Sequence, residues 1–442
     1  VRTIKKVPDH LPDYTSVHKC RVCGGLDTTT PLFFLGEQFV SDFVPKDQVN
    51  KGIKCPIDLE LCDHCGLVQN KYTARQDFLY TRHYWYRSGV TQTMKDQLQD
   101  VVDSAVRRVD SWGKDSKDIV LDIGSNDGTL LRCYPKHFLR VGVEPADNLA
   151  TNENYRDHGL ELVHDFWPST HGEILPHDKA KIITACGMFY DLEDPNAFIK
   201  EVSRVLHPEG LFVAQLMCLK QTLENHDISN LAHEHLEFYS LKSLAHLFRT
   251  HGLEIFDVEE NNTNGGSYRL FVRHADSNVP YMGGVAQHRK TNAFIQEHRM
   301  GLDRRETYTD WFRRAYDNRR KVVDFIRAEV RNGYRVHAYG ASTKGNVILQ
   351  WYDLNHTLIQ MASDRSPEKW GKYTVGTGIP VVSEEESRYR IPDYYLVLPY
   401  AFLREFIERE KDWLQKGGKF IVPLPTPRLV YLNGGEIKEV VL

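Results

Sequence analysis

One stretch constrains this chain more than any other: Val120-Leu121-Asp122-Ile123-Gly124-Ser125-Asn126-Asp127-Gly128-Thr129-Leu130-Leu131, with Val143-Glu144-Pro145 following shortly after. It reads as an apolar strand, a glycine-containing loop, a helix and a second strand that ends on an acid. Glycine has no Cβ, so such a loop lets backbone N–H groups approach a polar ligand closely. The acid at the end of the next strand can accept hydrogen bonds from two ribose hydroxyls. Around Asp122, Gly124 and Gly128 the loop spells D-x-G-x-x-x-G, not G-x-G-x-x-G, and no second glycine stands close enough to the first to cradle a pyrophosphate. The spacing points to a mononucleoside-type cofactor, S-adenosylmethionine, ahead of NAD. A purely structural strand–helix turn and a dinucleotide site are the alternatives.

With 442 residues the chain has room for two or three domains. Its 41% hydrophobic and 26% charged residues give an ordinary globular composition that can fill true cores. A formal net charge of -4 is no electrostatic footprint for nucleic acid, which shows as a strongly basic domain or face. The basic runs Arg313-Arg314 and Arg319-Arg320-Lys321 lie in an amphipathic helical pattern and read as its solvated face. No apolar run reaches the length of a membrane span, and Val1-Arg-Thr-Ile-Lys-Lys has no apolar signal core behind it. The expectation is a cytoplasmic protein without nucleic-acid or membrane partners, a monomer or a weak homo-oligomer.

Cysteine spacing is the second strong signal. Cys20-x-x-Cys23 and Cys62-x-x-Cys65 are two C-x2-C pairs, each followed by a glycine, Gly24 and Gly66. A tight glycine turn after the second cysteine aims two thiolates at one tetrahedral metal, so two such knuckles predict a four-cysteine structural zinc site. A redox pair or chance spacing is the alternative. The gap between the pairs leaves room for strands near 31–35 and 57–61. His18 and His64 stand beside the cysteines, but four thiolates already fill a tetrahedron. Cys55, Cys133, Cys186 and Cys218 are unpaired by spacing, and the last three read as small core residues.

Three blocks follow along the chain. Residues 1–75 read as short strands around the zinc, with a helical connector from about Thr91 to Asp110. The second block, 76–280 with that lead-in, alternates strands (119–123, 140–144, 182–185, 210–215) with helices, including one over 198–206. This alternation argues a parallel sheet with crossovers. A polar Gly- and Pro-containing linker is expected near 275–291. The third block, 281–442, opens helix-rich from Phe294 to Asn332. It then repeats the pattern: a strand at 334–340, a loop Ala341-Ser-Thr-Lys344-Gly345-Asn346, a helix at 347–352 and a strand at 359–364. Gly340-x4-Gly345 is followed by Asn346, so this is no Walker A loop. It reads either as an interaction domain with a tight turn or as a wall of the substrate site. The fold class is α/β: a small N-terminal zinc-binding β module, a central Rossmann-like class I methyltransferase sheet and a smaller C-terminal Rossmann-like α/β domain.

Chemistry-bearing residues concentrate in Asn230-Leu-Ala-His233-Glu234-His235-Leu-Glu237-Phe-Tyr239-Ser240. Ser240 is an N-cap candidate for a helix over 241–249, so the acid–histidine cluster lies in the loop before it. Loops at the carboxyl ends of strands in a doubly wound sheet face the ligand crevice. A histidine there can act as base, with a carboxylate beside it to fix its tautomer. His233 and His235 share a face if extended, but no third metal ligand is evident, and H-E-H lacks the i, i+4 spacing of a helical zinc motif. A plain surface loop is the other alternative. Tyr84-Trp85-Tyr86-Arg87-Ser88-Gly89 is either a core plug in a linker or a lid over substrate. Asn264-Gly265-Gly266-Ser267-Tyr268-Arg269 is either a hairpin turn or a close backbone approach to an anionic or sugar ligand.

Together these residues resemble the three-domain sugar C-methyltransferases that act on nucleotide-linked 4-keto sugars, and the resemblance covers nearly the whole chain. Cys20, Cys23, Cys62 and Cys65 match that family's zinc module, and Tyr84-x-Tyr86-x-Ser88 its aromatic motif. Asp122, Gly124, Asn126, Asp127 and Gly128 match the cofactor loop, with Glu144 and Pro145 at the ribose acid. His233-Glu234-His235 matches the active-site triplet, and Gly265-Gly266-Ser267-x-Arg269 the glycine turn. Tyr339-Gly-Ala-x-x-Lys344-Gly-Asn346 and Asp364-Arg-Ser-Pro367 match the C-terminal domain. Ala232 and Asn264 depart from the family, where Tyr or Cys and His are frequent.

The resemblance implies carbon methylation, most simply at C-3' of a dTDP- or GDP-linked 4-keto-6-deoxy sugar in branched-chain sugar biosynthesis. It puts the base at His235, the acid at Glu234 and the active-site tyrosine at Tyr86 or Tyr84. His235 would remove the proton beside the ketone, Tyr86 or His233 would donate to the oxyanion, and the carbon would take the methyl group. Gly124 and Gly128 would hold the cofactor and Glu144 its ribose, with Asp165-Phe166, by position, beside the adenine. The substrate's nucleotide would lie near Lys344, Asn346 and Arg269, with Ser267 adding a substrate contact. Two rival readings stand: an O- or N-methyltransferase, and a non-enzymatic zinc-and-Rossmann module for nucleic acid, against which the acidic balance argues.

Overall fold

The computed structural model describes residues 12–26, 28–80, 84–109, 118–169, 172–175, 178–277 and 283–442. The N-terminal hexapeptide read above, Asp110 and residues 278–282 of the expected linker lie outside these. The chain forms two compact units that do not follow chain order. Unit 1 takes 1–30, 60–219 and 236–303, and unit 2 takes 31–59, 220–235 and 304–442. The strands Thr29–Phe39 and Lys54–Cys62 are therefore each divided between the two. Among the described residues no helix is long and apolar enough to cross a membrane.

Unit 1 is built on seven strands: β1 (Ile119–Ile123), β2 (Leu139–Val143), β3 (Glu161–Val163), β4 (Ala180–Cys186), β5 (Leu206–Met217), β6 (Leu253–Asn261) and β7 (Ser267–His274). Their order across the sheet is β6-β7-β5-β4-β1-β2-β3. Strands β1 to β5 are parallel, and β7 enters antiparallel between β5 and β6. Every residue of β1 is buried, as a central parallel strand covered on both faces requires. On one face Leu121 and Ile123 of β1 join a core with Phe198, Ile199 and Val202 of the helix Pro195–Val205, and with Leu244 and Phe248 of the helix Leu241–Thr250. On the other face Val120 joins Met94, Leu98, Val101, Val102 and Ala105 of the helix Gln92–Val109.

Local signals explain the helix starts. Asp194 accepts the Ala197 N–H and Pro195 opens the first turn, so that helix begins three residues before the expected Phe198. Ser240 and Ser243 form a reciprocal capping box where an N-cap was expected. The expected linker is largely helical instead, since Gly283–Met300 is one helix. Its Glu297 is buried and accepts the Leu241 N–H at 2.7 Å and the Tyr268 hydroxyl at 2.9 Å, which gives the segment a reason to order.

Unit 2 holds β8 (Val336–Tyr339), β9 (Ala362–Asp364), β10 (Val381–Ser383), β11 (Tyr394–Val397), β12 (Lys419–Val422), β13 (Arg428–Asn433) and β14 (Glu436–Val441). Their order is β10-β9-β8-β11-β12-β13-β14, parallel through β12 and antiparallel beyond it. The parallel block runs third-second-first-fourth-fifth, the same order as β3-β2-β1-β4-β5 in unit 1. In both, the strand order reverses beside the first strand, where an open α/β sheet forms its crevice. The helix after β8 spans Thr343–Trp351, because the Ser342 hydroxyl caps Gly345 N–H at 3.0 Å. Lys344 and Asn346, read above as loop residues, therefore stand in its first turn.

A buried charge network closes one face of unit 1. Arg108 donates to Asp257 at 2.8 Å and to Glu259 at 2.7 Å, and its guanidinium lies 3.5 Å from the centroid of the Phe271 ring. Asp257 is fully buried and also accepts from Arg289 Nε at 3.0 Å. Removing one partner of a buried pair leaves the other charge uncompensated. Arg108→Met is expected to destabilise the fold by about 3 kcal/mol, the low end of that range because Arg289 remains. Urea unfolding reads this directly, and an unchanged midpoint would show the network to be energetically neutral.

Candidate functional site

The loop after β1 is shaped by backbone conformation before any side chain acts. Gly124 and Gly128 have φ of 68° and 72°, and Asn126 has 54°. A Cβ at Gly124 would stand 2.8 Å from Met188 Cγ, so only glycine lets the loop pass there. The Gly124 and Ser125 N–H groups donate to the Val143 carbonyl oxygen at 2.9 and 3.0 Å, which ties the loop to the end of β2. One carboxylate oxygen of Glu144 accepts the Asn126 N–H and the other the Ala146 N–H, both at 2.8 Å. The acid predicted for the ribose is thus held rigidly at the strand end. Burial pushes its pKa up to about 7, although both amides favour the charged form. Asp122 is likewise raised by burial to about 7, and Thr184 donates to it at 2.6 Å.

Asn126 and Asp127 have a task the sequence did not suggest. Asn126 accepts the Ser88 N–H at 3.0 Å and donates to the Tyr86 carbonyl at 3.1 Å, and Asp127 accepts the Gly89 N–H at 2.9 Å. Asn148 makes a similar pair with the backbone of Tyr84, at 2.9 and 3.1 Å. The aromatic segment 84–89 is therefore fastened along the cofactor loop, with the Tyr86 side chain exposed. Asp165 turns its carboxylate onto the Phe166 N–H and the Ser169 hydroxyl, at 2.8 and 2.6 Å. It lines a cavity of about 450 Å³ together with Val141, Leu162, Val163 and His164.

The four cysteines converge. All four Sγ atoms of Cys20, Cys23, Cys62 and Cys65 lie within 4.8 Å of one another. Cys20 and Cys65 are 3.5 Å apart, and Cys23 and Cys62 are 3.6 Å apart. Zinc–sulfur bonds of about 2.3 Å in a tetrahedron require sulfurs about 3.8 Å apart, so the residues fit zinc. Both knuckles close alike: the Gly24 and Gly66 N–H groups donate to the Cys20 and Cys62 carbonyls, each at 2.9 Å, with positive φ at both glycines. His18 pairs with Ser16 and His64 meets His246 edge to face. Cys55 is buried apart from this set, where burial and the Glu37 charge push its thiol up to about 12.

The acid–histidine loop belongs to unit 2. His235 Nδ1 lies 2.6 Å from the Asn230 carbonyl oxygen, and His233 Nε2 lies 2.8 Å from the Cys55 carbonyl oxygen. A carbonyl only accepts, so each of these nitrogens carries a hydrogen. That assigns opposite tautomers: His235 keeps the lone pair on Nε2, and His233 keeps it on Nδ1. Burial holds both rings neutral, pushing His233 down to about 4 and, with the Lys344 charge adding to it, His235 to about 3. Burial also raises Glu234, which Lys344 opposes.

Asn230, which the sequence reading did not single out, organises this loop. Its carbonyl takes His235, its Oδ1 accepts Lys344 Nζ at 2.8 Å and its amide donates to Thr222 at 3.0 Å. His235 and Thr222 are near it in sequence, but its contact with Lys344 comes from a distant segment that no local pattern reveals. Asn346 donates to Ser41 at 2.9 Å. In unit 1, Ser267 donates to the Thr263 carbonyl at 2.9 Å. Arg269 is buried there, with Gln215 and Asp100 each at 2.9 Å and Glu259 at 3.5 Å. The arrangement occupies that guanidinium with protein carboxylates.

A parallel sheet with a glycine turn after its first strand, and an acid closing its second, defines a Rossmann-like methyltransferase fold. Sequence comparison agrees. A methyltransferase domain model matches residues 92–258, a C-methyltransferase C-terminal domain model matches 262–425 and a zinc binding domain model matches 20–80. The C-methyltransferase NovU of Streptomyces niveus is 31% identical over 418 residues, spanning 94% of this chain and 97% of that protein. The chain belongs to this C-methyltransferase family, whose members use S-adenosylmethionine. Among solved structures, an S-adenosylmethionine-dependent methyltransferase from Clostridium acetobutylicum ATCC 824 aligns over 41% of this chain and 92% of its own, at 14% identity and a TM-score of 0.33. Magnesium protoporphyrin IX methyltransferase from Synechocystis PCC 6803 aligns over 42% and 86%, at 13% identity and a TM-score of 0.31.

Two expectations follow. Cys62→Ala should lose the zinc and unfold the N-terminal module, seen by metal analysis and circular dichroism. A stable variant with only a kinetic defect would count against a structural metal. If Glu144 holds the ribose, cofactor affinity should fall as pH drops through about 7, because an ionised carboxylate is the stronger acceptor for ribose hydroxyls and burial raises Glu144 to about 7. Calorimetry with S-adenosylhomocysteine at pH values on either side of that point tests this, and Glu144→Gln should weaken binding and reduce the dependence. Equal affinity throughout would separate Glu144 from the cofactor.

Proposed function

We propose that this enzyme methylates a carbon next to the ketone of a nucleotide-linked 4-keto-6-deoxy sugar, at C-3'. One observation carries the reading: the Asn230 carbonyl takes the Nδ1 hydrogen of His235, so Nε2 is a neutral base at physiological pH. The resemblance to C-methyltransferases supports carbon, not oxygen or nitrogen, as the acceptor.

In this reading Glu144 and the glycine turn hold S-adenosylmethionine, which supplies an electrophilic methyl group. His235 Nε2 removes the proton beside the ketone. The C–H electron pair becomes the carbon–carbon double bond of an enolate, and the carbonyl π pair moves onto oxygen. The carbon then takes the methyl group, the carbonyl re-forms, and His235 returns its proton to water. Asn346 is a candidate contact to the substrate's dTDP or GDP, and Tyr86, exposed beside the cofactor loop, to its sugar. Glu234 shapes the loop around the base. The protein acts in the cytoplasm, where nucleotide sugars are made, as a monomer or a weak homo-oligomer.

The test incubates the enzyme with S-adenosylmethionine and a dTDP-4-keto-6-deoxyhexose in D2O. Expected are a mass gain of one methyl group and its placement on the carbon beside the ketone by NMR. His235→Ala should lower turnover about 10²–10⁴-fold with the fold intact, the usual range for a general base. Turnover of sugars that lack a ketone would favour an O- or N-methyltransferase instead.

A further inference from the structure

An enolate needs a donor or a cation at its oxygen as the charge develops. His233, the neighbouring candidate, is poorly placed to supply one. Its ring hydrogen is committed to the Cys55 carbonyl, Nδ1 is then an acceptor, and burial opposes a second proton. The same unit carries a cation. Lys344 Nζ donates to Asn230 Oδ1 at 2.8 Å, and the carbonyl of that same asparagine receives the His235 hydrogen at 2.6 Å. A single residue therefore holds the base and a cation together. Lys344 rises from the first turn of the helix Thr343–Trp351, and its charge acts on both Glu234 and His235.

We propose that Lys344 is a catalytic residue whose ammonium stabilises the enolate oxygen formed when His235 removes the proton. This rests on the carbon-methylation reading above. A cation fixed beside a base disfavours the imidazolium, so alone it works against proton removal. It helps where an anion forms next to both, because the enolate oxygen then offsets two positive charges. An ammonium carries three N–H donors on a flexible stem, so bonding to Asn230 and bonding to substrate are compatible. The bonds balance as written above: the proton moves from carbon to Nε2, the electron pair ends on oxygen beside Lys344, and methyl transfer returns it to carbon. The rival role for Lys344, holding the substrate's diphosphate, is a ground-state contact and acts on KM.

Two measurements separate these roles: the exchange of the hydrogen beside the ketone of a dTDP-4-keto-6-deoxyhexose in D2O with S-adenosylhomocysteine bound, and steady-state methylation. Lys344→Met should lower exchange and kcat together by about 10²–10³-fold, the range for losing an oxyanion donor. KM for the sugar nucleotide should stay within about threefold. Lys344→Arg should recover part of the loss, and Lys344→Gln gives a second neutral variant. Circular dichroism and thermal unfolding report that each variant is folded. A large rise in KM with exchange and kcat unchanged would overturn the proposal in favour of the diphosphate role. No exchange by the wild-type enzyme would overturn the carbon-methylation reading, and this proposal with it.

Discussion

The carboxylate of Glu144, with a backbone amide on each oxygen, is the constraint on which unit 1 depends. It joins the turn after β1 to the end of β2 through the Asn126 and Ala146 N–H groups. Because β1 is buried on both faces, its loop cannot shift without moving the sheet. With the turn fixed, Asn126 and Asp127 point their side chains back onto residues 86–89. A single ionisable group thus sets the strand ends, the glycine turn and the aromatic segment. It does so in a buried position that raises its own pKa to about 7.

Unit 2 follows a different logic, that of neutral groups in a low dielectric. His233 and His235 are buried and kept uncharged, so tautomer, not protonation, decides what each can do. Two residues apart in sequence, they receive opposite tautomers because each meets a different carbonyl. One ring keeps its lone pair on Nε2 and its neighbour keeps it on Nδ1. Asn230 meets both His235 and Lys344 by using its backbone carbonyl and its side chain at once. In each unit a glycine with positive φ, Gly124 or Gly340, follows the first strand at the reversal point of a parallel sheet of the same order.

Much of this was legible in the residue order, and the misses share a cause. The two C-x2-C-G pairs, the glycine turn and Glu144 are local patterns: the four thiols converge, the turn takes positive φ after β1, and Glu144 stands at the end of β2. The helix carrying Lys344 begins at Thr343, not Val347, because the Ser342 cap outweighs the turn suggested by Gly345. Among the described residues of the linker expected near 275–291, those from Gly283 on are helical, and in the same helix Glu297 meets Leu241 N and Tyr268, contacts no local window reveals. Arg269 also faces Asp100, Gln215 and Glu259 from three other segments, contacts that its motif does not reveal.

The sequence by itself determined the class of the fold and the chemistry available. Hydrophobic period, glycine positions and cysteine spacing are short-range properties, and they specify a parallel sheet, a nucleoside-type cofactor loop and a four-thiolate metal site. Only the tertiary structure decided which nitrogen of each histidine carries a hydrogen. It also decided that Asn230 meets both His235 and Lys344, and that the helix Gln92–Val109 ends in a buried charge network through Arg108. Apart from the Asn230 carbonyl that meets His235, those outcomes depend on groups brought from far along the chain. Folding alone removes the water that would otherwise bond to each of these groups separately.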